Sequence, residues 1–475
     1  MTHPDPRPRA VVLGVQLPGV SDGDFESSIV ELERLAATLG LEPVARVVQR
    51  RDFLAAAAVV GRGKLDELAA VTGGTGKVPT RARRKKRRID EPAPESSEDD
   101  GELESEGAEG DEPASGCADA PARWPEHERA GVVLVDHDIT PSQARNLELA
   151  TGAEVLDRTS VILSIFQRHA RSRVAKLQVE LARLEYVAPR LRESSSGGDR
   201  VRGGKSKGAG ESSLELDRRR IRDRMAELRR QIAEAAEGAR VRRVRRTDAS
   251  VVALVGYTNA GKSSLMRALT GSEVYVADKL FATLDTTVRV LVPETRPRIL
   301  VSDTVGFIKS LPHSLVASFR STLEEAREAD LLLHVVDAAD PAFRAQLAVT
   351  REVLEEIGAG EVPSLLILNK RDLLPEGSEA ALLAEYPEAL VVSARRPGDV
   401  AALHRALVDW FERDLVTATV HVPHAKQRLL GVVHDECRVL SERWDEAGAE
   451  LAIRAPAAVL GRLRAELEDS SGGLR

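Results

Sequence analysis

The sequence predicts a multidomain α/β protein with a central P-loop domain, built on a mixed, mostly parallel sheet with flanking helices. Three observations carry this prediction. The apolar run 251–255 leads into the glycine-rich segment 256–263, which opens a helical pattern. Further apolar runs at 299–301, 365–368 and 390–392 each end in a short polar motif. Strand and helical patterns also alternate along the chain outside this domain, and such alternation is typical of α/β architecture.

Composition sets the broad class of protein. The chain has 475 residues, 42% of them hydrophobic, which predicts about two to four domains with substantial cores. Of its two cysteines, Cys117 lies in a low-complexity segment and Cys437 near the C-terminus, so we expect no structural disulfide and a reducing, cytoplasmic location. No apolar run reaches membrane-spanning length, and residues 1–9 lack the core of a signal peptide. Membrane-spanning and secreted classes are therefore not expected.

Residues 1–160 predict an N-terminal α/β domain that is split by a charged insertion, 73–128. The part of the insertion from Arg81 to Asp119 has 7 basic and 13 acidic side chains, so its net charge is −6 within a chain of net charge −7. Such a segment buries too little apolar surface to order itself, and we predict disorder; an RNA-binding arm is the alternative. The alternating strand and helical patterns of the domain lie at 10–17, 25–39, 43–48, 61–71, 131–135 and 141–149.

Residues 161–247 predict a basic helical hairpin. Two long helical stretches carry apolar stripes, from Val161 to Leu184 and from Leu214 to Ile232. A hairpin buries these stripes against each other and leaves the Gly/Ser/Lys-rich segment 193–213 as its tip. Dense arginine and lysine suit contacts to the phosphates of folded RNA, whereas a solvated helix face is the alternative. The candidate RNA-binding residues are Arg168, Arg171, Arg173, Lys205, Lys207, Arg218, Arg219 and Arg220.

The central domain, 248–415, contains a phosphate-binding loop. The glycines allow a tight turn that presents backbone N–H groups to a phosphate chain at the start of a helix. Lys262 is predicted to reach the β- and γ-phosphates, and Ser263 to offer its hydroxyl to Mg²⁺. The segment reads Gly256-Tyr257-Thr258-Asn259-Ala260-Gly261-Lys262-Ser263.

A polar segment after the strand pattern 365–368 predicts that the base is guanine. The carboxylate of Asp372 can accept hydrogen bonds from both N1–H and the exocyclic amine of guanine, a donor pair that adenine lacks. Asn369 and the stem of Lys370 are predicted to brace the loop and cover the ring, although a plain polar turn would fit this segment taken alone. A later segment is predicted to add a backbone N–H to the guanine oxygen. The two segments are Asn369-Lys370-Arg371-Asp372 and Ser393-Ala394-Arg395.

Two motifs between these segments complete the predicted site. Asp303 is predicted to hold Mg²⁺ through water, and Gly306, which lacks Cβ, to bring its N–H to the γ-phosphate. A switch-loop threonine is expected to ligate Mg²⁺ only when the γ-phosphate is present; by chemistry alone Thr283, Thr286 and Thr287 all qualify. The motifs are Phe281-Ala282-Thr283-Leu284-Asp285 and Asp303-Thr304-Val305-Gly306. The candidate catalytic residues are Lys262, Gly306 and one of these three threonines.

Two residues bear on the rate of hydrolysis. Phe307 follows Gly306, where Ras-like proteins have a glutamine that orients the attacking water. Phenylalanine cannot bond water, so we predict slow intrinsic hydrolysis that a partner must accelerate; a polar group elsewhere in the chain is the alternative. Asn259 resembles the asparagine of GTPases that bind K⁺ between the phosphates, and a loop-stabilising amide is the other interpretation. Equal turnover in K⁺ and Na⁺ would exclude the K⁺ hypothesis.

The last segment, 416–475, predicts a small α/β cap with apolar patterns at 429–433, 451–453 and 459–467. Three of its histidines lie near Cys437, but their spacing does not match a known metal site, so we interpret them as structural or surface residues. They are His421, His424 and His434.

Taken together, these residues resemble the HflX family, ribosome-associated GTPases of the Obg-like branch. The P-loop 256–263, the switch loop 281–285 and the segment 303–307 match that family, and the match assigns the Mg²⁺ threonine to Thr283. The resemblance covers about 10–71 and 129–415. Its more specific part is N-terminal and comprises 61–64, 156–159, 176–181, 184–186 and 215–220.

The resemblance implies a GTPase that binds the large ribosomal subunit, is activated there, and splits or rescues stalled or dormant ribosomes. It also implies that the basic hairpin enters ribosomal RNA near the peptidyl-transferase region. Three departures from the family pattern are the insertion 73–128, the tract 205–213 in place of a glycine-rich loop, and Arg395 where lysine is commoner.

Two other functions fit the sequence. One is a GTP-gated RNA-binding module, which would bind assorted structured RNAs with similar affinity. The other is a non-ribosomal regulator that binds a protein partner through the insertion and the cap. In each case GTP and GDP are the expected ligands, and the free protein is expected to be a monomer.

Overall fold

The computed structural model describes residues 7–78, 123–195, 213–244, 249–272, 280–281, 283–284, 286–309 and 320–468. In these ranges the chain forms three β-sheets and a helical hairpin. None of the helices described is both long and apolar enough to cross a bilayer. Most of the predicted insertion, together with Lys205 and Lys207 at the predicted hairpin tip, lies outside the described residues.

The first sheet has four parallel strands in the order β2-β1-β3-β4. Its central strands are buried on both faces, as the near-continuous apolar runs require. One face packs on α1 and α4, and the other on α2 and α3. The strands are β1 (Arg9–Gln16), β2 (Glu42–Arg50), β3 (Val132–Val135) and β4 (Glu154–Asp157). The helices are α1 (Asp22–Leu39), α2 (Arg62–Thr72), α3 (Pro141–Thr151) and α4 (Arg158–His169).

Local signals define where these helices begin and end. The Ser21 hydroxyl accepts a hydrogen bond from the Asp24 N–H at 3.1 Å and starts α1. Thr140 and Gln143 form a reciprocal capping box at the start of α3. Gly40 ends α1 with φ 84°, a left-handed conformation that glycine adopts without strain.

The hairpin consists of α5 (Arg173–Ser195) and α6 (Ser213–Val244). The two helices pack against each other, with Leu228 of α6 fully buried. Ion pairs cross the interface, such as Arg224 to Glu180 at 2.7 Å and Arg229 to Glu185 at 2.8 Å.

The prediction of one continuous first helical stretch from residue 161 is wrong. Helix α4 ends at His169, and a new helix starts after Ser172, whose hydroxyl accepts from the Ala175 N–H at 3.0 Å. The apolar face of α4, which includes Ile162 and Phe166, packs into the core of the first sheet. Only α5 and α6 therefore form the hairpin.

The second sheet has six strands in the order β10-β9-β8-β5-β7-β6, and only β6 runs antiparallel to its neighbour. This is the mixed, mostly parallel sheet that the sequence predicts. Its strands are β5 (Ser250–Gly256), β6 (Thr287–Val290), β7 (Ile299–Asp303), β8 (Leu331–Asp337), β9 (Ser364–Asn369) and β10 (Leu390–Val391). The flanking helices are α7 (Lys262–Thr270), α8 (Arg320–Arg327), α9 (Phe343–Glu356), α10 (Ser378–Glu385) and α11 (Pro397–Glu412).

The third sheet is antiparallel, in the order β11-β13-β12, and packs on two helices around a small core. Strand β12 has no counterpart among the predicted patterns because nearly all of its side chains are exposed. The elements are β11 (Val416–Pro423), α12 (Arg428–Glu436), β12 (Arg438–Trp444), β13 (Gly448–Ala455) and α13 (Ala457–Glu468). The predicted α/β fold class is confirmed.

Candidate nucleotide-binding site

The predicted phosphate-binding loop joins the carboxyl end of β5 to the first turn of α7. Gly261 has φ 96° and Asn259 has φ 60°, so the loop turns through two left-handed residues. A Cβ on Gly256 would lie 2.1 Å from the Val335 carbonyl oxygen, and one on Gly261 would lie 2.2 Å from the Asn369 side-chain nitrogen. Only glycine fits at either position. Asn259 itself is exposed at the surface of the loop.

Lys262 is buried at the centre of this loop. Its ammonium donates to the carbonyl oxygens of Gly256 at 3.0 Å and Tyr257 at 2.8 Å. Burial lowers the pKa of Lys262 to about 8, although the nearby Asp303 acts in the opposite direction. The loop therefore holds a buried cationic group beside the N-terminus of α7, an arrangement suited to phosphate.

Three side-chain oxygens converge beside Lys262. The Ser263 hydroxyl donates to Asp303 Oδ2 at 2.7 Å and lies 2.8 Å from the Thr283 hydroxyl, which donates to the same carboxylate oxygen at 3.0 Å. Asp303 Oδ1 is buried and has no hydrogen-bond partner among the residues that the structure describes. Burial raises the pKa of Asp303, against the charge of Lys262 and the two hydroxyl bonds. Hard oxygen donors around a buried, under-satisfied carboxylate fit a divalent cation such as Mg²⁺.

The structure separates the three threonines that qualify by chemistry. Only Thr283 joins the oxygen cluster. The Thr286 hydroxyl donates to Glu325 at 2.9 Å, and Thr287 begins β6. Of the switch motif, Ala282 and Asp285 lie outside the described residues.

Gly306 lies against the phosphate-binding loop. A Cβ there would be 2.8 Å from the Lys262 ammonium and 2.9 Å from Thr258 Cα, so only glycine allows this approach. The next residue, Phe307, pairs its backbone with the loop: its N–H donates to Gly256 at 3.1 Å, and its carbonyl accepts from Thr258 at 2.7 Å. The Phe307 ring is buried in the core under the sheet. It offers no polar group to a water molecule.

The segments assigned to the base are joined to the phosphate loop through Asn369. Its side-chain nitrogen donates to the Ala260 carbonyl at 2.8 Å, and its side-chain oxygen accepts from the Ala394 N–H at 3.3 Å. Lys370 has φ 64°, and its ammonium pairs with Asp337 at 2.7 Å. One amide thus fixes the relative positions of three loops.

Asp372 faces the loop that contains Ser393 and Arg395. Its carboxylate accepts from the Ser393 hydroxyl at 2.6 Å, and the Arg395 guanidinium lies 3.5 Å away. The Ser393 bond and the neighbouring positive charges hold the pKa of Asp372 below its usual value. Arg371 pairs instead with Glu379 and Asp399, so its side chain braces the loop.

The sequence did not predict that the N-terminal elements contact the switch segments. The Phe281 carbonyl lies 2.7 Å from His169 Nδ1, and the Phe281 ring packs edge-on against Phe166 at 4.6 Å. The Leu280 N–H donates to the Thr38 hydroxyl at 3.2 Å. These contacts join residues more than a hundred positions apart, and no local pattern could indicate them.

Most of the predicted RNA-binding residues that the structure describes are exposed on the hairpin and just before it. Arg171 and Arg173 are exposed near the start of α5, and Arg219 and Arg220 on α6. Arg168 has a role within the fold, since its guanidinium donates to the Leu39 carbonyl at the end of α1. Arg218 is half-buried on α6.

Comparison with known proteins is consistent with this geometry. Residues 251–370 match the family model described as 50S ribosome-binding GTPase. Residues 169–246 match the GTP-binding GTPase middle region, and 26–77 with 114–167 match the GTP-binding GTPase N-terminal model. A GTPase HflX of Gluconacetobacter diazotrophicus is 57% identical over 97% of this chain and 98% of its own length. The chain belongs to the HflX family of GTPases.

Other HflX proteins are more distant. The GTPase HflX of Caldanaerobacter subterraneus is 34% identical over 96% of this chain and 93% of its own length. That of Escherichia coli is 39% identical over 69% of this chain and 78% of its own length. A crystal structure of SsGBP with GDP covers 85% of this chain and 98% of its own, with 21% identity and a TM-score of 0.44, a likeness too weak to add to the fold assignment. As a member of the HflX family, the protein is a GTP-binding, GTP-hydrolysing enzyme.

Proposed function

We propose that this HflX GTPase binds the large ribosomal subunit and uses GTP hydrolysis to split or rescue stalled or dormant ribosomes. We propose further that hydrolysis is slow until the ribosome contact completes the site. The observation that carries this proposal is the position of Phe307, whose ring is buried in the core. The residue after Gly306 therefore cannot orient the attacking water, and a partner must supply what is missing.

Within the site, we propose a role for each residue from the geometry described above. Lys262 and the backbone N–H groups at the start of α7 would bind the phosphates, and the Gly306 N–H would contact the γ-phosphate. Ser263 and Thr283 would hold Mg²⁺ directly, with Asp303 acting through water; the ion would neutralise charge on the phosphate oxygens. Asp372 would accept the two guanine donors, and Asn369 keeps that loop in register with the phosphate loop.

The ribosome contact is assigned to the basic hairpin. Arginines project from both of its helices, and dense positive charge suits the phosphate backbone of folded RNA. The 50S ribosome-binding description of the matched GTPase model points to the same partner. We also propose that the chain is divided into four domains, 1–172, 173–247, 248–415 and 416–475. The hairpin domain begins at Arg173 because α5 begins there.

A co-sedimentation experiment tests the proposed partner. The GTP-loaded protein is mixed with purified large subunits, small subunits, or an equal mass of unrelated structured RNA. We expect a clear preference for intact large subunits, which is lost when 193–213 is deleted and kept when 79–122 is deleted. Equal binding to all three would support a GTP-gated RNA-binding module. Loss of binding in the 79–122 deletion would favour a regulator that acts through the insertion.

A further inference from the structure

Tyr257 is the second residue of the phosphate-binding loop, yet its side chain points away from the phosphate position. It is 7% exposed and packs in the core that α1 and α4 form against the first sheet. Its hydroxyl accepts a hydrogen bond from the Lys309 N–H at 2.7 Å. Because the hydroxyl oxygen accepts from that N–H, its own O–H can donate a hydrogen bond to the Glu31 carboxylate on α1. Tyr257 thus bonds at once to α1 and to the backbone three residues after Gly306.

The Glu31 side chain is held in place by an ion pair with Arg158. Its second carboxylate oxygen pairs with the Arg158 guanidinium, which also contacts Asp136 at 2.6 Å and the Ser28 hydroxyl at 3.1 Å. Arg158 and Asp136 have side chains that are about 5% exposed or less. A buried ion pair with several hydrogen bonds allows its side chains little movement. A group that lost its partner would stay buried and unpaired, which costs free energy. The acceptor for the Tyr257 hydroxyl is therefore held in one place.

The same residue contacts the switch segment through its backbone. Tyr257 and Phe307 form a parallel bridge, with Gly256 and Thr258 bonding the Phe307 backbone on either side. The backbone from Gly306 to Lys309 is thus held at two points, at Phe307 by the loop and at Lys309 by the Tyr257 hydroxyl. Within this short stretch Gly306 lies so close to Lys262 that it has no room for a Cβ.

We propose that Tyr257 is a positioning residue for GTP recognition and hydrolysis, whose hydroxyl ties the Lys309 backbone to Glu31 and so sets Gly306 against the γ-phosphate. GDP has no γ-phosphate, so its binding does not depend on this tie. The inference rests on the γ-phosphate role proposed for Gly306. It predicts that the hydroxyl discriminates between GTP and GDP although it touches neither nucleotide.

The test is Tyr257→Phe, measured without ribosomes by nucleotide titration and single-turnover hydrolysis. We expect affinity for a non-hydrolysable GTP analogue to fall about tenfold, and affinity for GDP to stay within about twofold. Glu31→Ala should shift the same ratio, and the double variant should lose no more than the larger single loss. Glu31→Gln, which keeps an acceptor oxygen, should restore most of the ratio.

The matched control is Tyr186→Phe, which removes a hydroxyl that donates to the buried Asp157 and lies 2.9 Å from the Ser160 hydroxyl, two groups at the junction of β4 and α4. It should leave the GTP-to-GDP ratio unchanged, whatever it does to thermal stability. Equal losses for GTP and GDP in Tyr257→Phe, or no loss at all, would overturn the inference. Gly306→Ala tests the proposed γ-phosphate role of Gly306 separately. If this variant leaves the GTP-to-GDP ratio unchanged, the role of Gly306 is wrong. If it changes the ratio while Tyr257→Phe does not, only the positioning role of Tyr257 is wrong.

Discussion

At the scale of single residues, the oxygen cluster formed by Ser263, Thr283 and Asp303 is what the structure adds to the motifs. From the local sequence, three threonines qualified as the Mg²⁺ ligand. Of these three, only Thr283 lies within hydrogen-bond distance of Ser263 and Asp303. Ser263 lies on α7 and Asp303 ends β7, so the distance between them depends on how these two elements pack. A motif identifies the residue types of such a site, but the distances between their side chains depend on the folded sheet.

Thr283→Ala is predicted to slow GTP hydrolysis by at least about tenfold, because it removes one proposed Mg²⁺ ligand. Its effect should be larger at low Mg²⁺ concentration, and GDP affinity should change little. Thr286→Ala is the matched control, since that hydroxyl bonds Glu325 outside the cluster. Single-turnover rates across an Mg²⁺ titration give the comparison. Equal losses in the two variants would remove Thr283 from the proposed metal site.

Asp372→Asn is predicted to weaken GTP binding by at least about a hundredfold, because the amide places donors where guanine also has donors. Wild-type protein should prefer GTP strongly over inosine triphosphate, which lacks the exocyclic amine. That preference should collapse in the variant. Competition binding with the two nucleotides measures it, and a preserved preference would show that another group recognises the base.

At the scale of elements, the sequence predicted the existence of long, periodic helices and strands better than it predicted where they begin and end. The apolar stripes placed both hairpin helices, but not the break between α4 and α5, where a serine cap and burial of α4 override a continuous helical pattern. Strand β12 was missed because its side chains are almost all exposed and so lack the alternation that marks a half-buried strand. What makes β12 a strand is its backbone pairing with β13, which no local pattern of side chains indicates.

Strand β8 carries a buried histidine that predicts how stability depends on pH. His334 is 4% exposed, and burial, with the charges of Arg351 and Lys262, lowers its pKa to about 4. The folded protein then binds fewer protons than the unfolded chain between about pH 6.5 and 4. The stability present above pH 6.5 is therefore lost as pH falls through this window, by about 3 kcal/mol.

His334→Gln should remove this loss, so that between pH 6.5 and 4 the wild type loses about 3 kcal/mol more unfolding free energy than the variant. His127→Gln, which replaces a ring that is 79% exposed, is the control for the substitution itself. Denaturant unfolding at a series of pH values gives the curves. Parallel curves for wild type and His334→Gln would contradict the assigned titration.

At the scale of the whole molecule, the N-terminal elements contact both segments that bracket the proposed γ-phosphate position. Helix α4 contacts Phe281 ahead of Thr283, and α1 reaches Lys309 through Tyr257. Helix α4 also leads directly into the hairpin through a three-residue break. A hairpin seated on RNA could thus bias the switch segments through packed elements, with no contact from RNA to the nucleotide. Sequence could not show this, because it depends on pairs such as Glu31 and Tyr257 that are far apart in the chain.

The most direct test is steady-state GTP hydrolysis with and without purified large ribosomal subunits, for the wild type, Lys262→Ala and a deletion of 193–213. We predict slow hydrolysis by the free wild type, stimulation of about tenfold or more by large subunits, and loss of that stimulation in the deletion, with Lys262→Ala inactive throughout. Fast hydrolysis by the free protein, or stimulation near unity, would contradict a site that the ribosome completes.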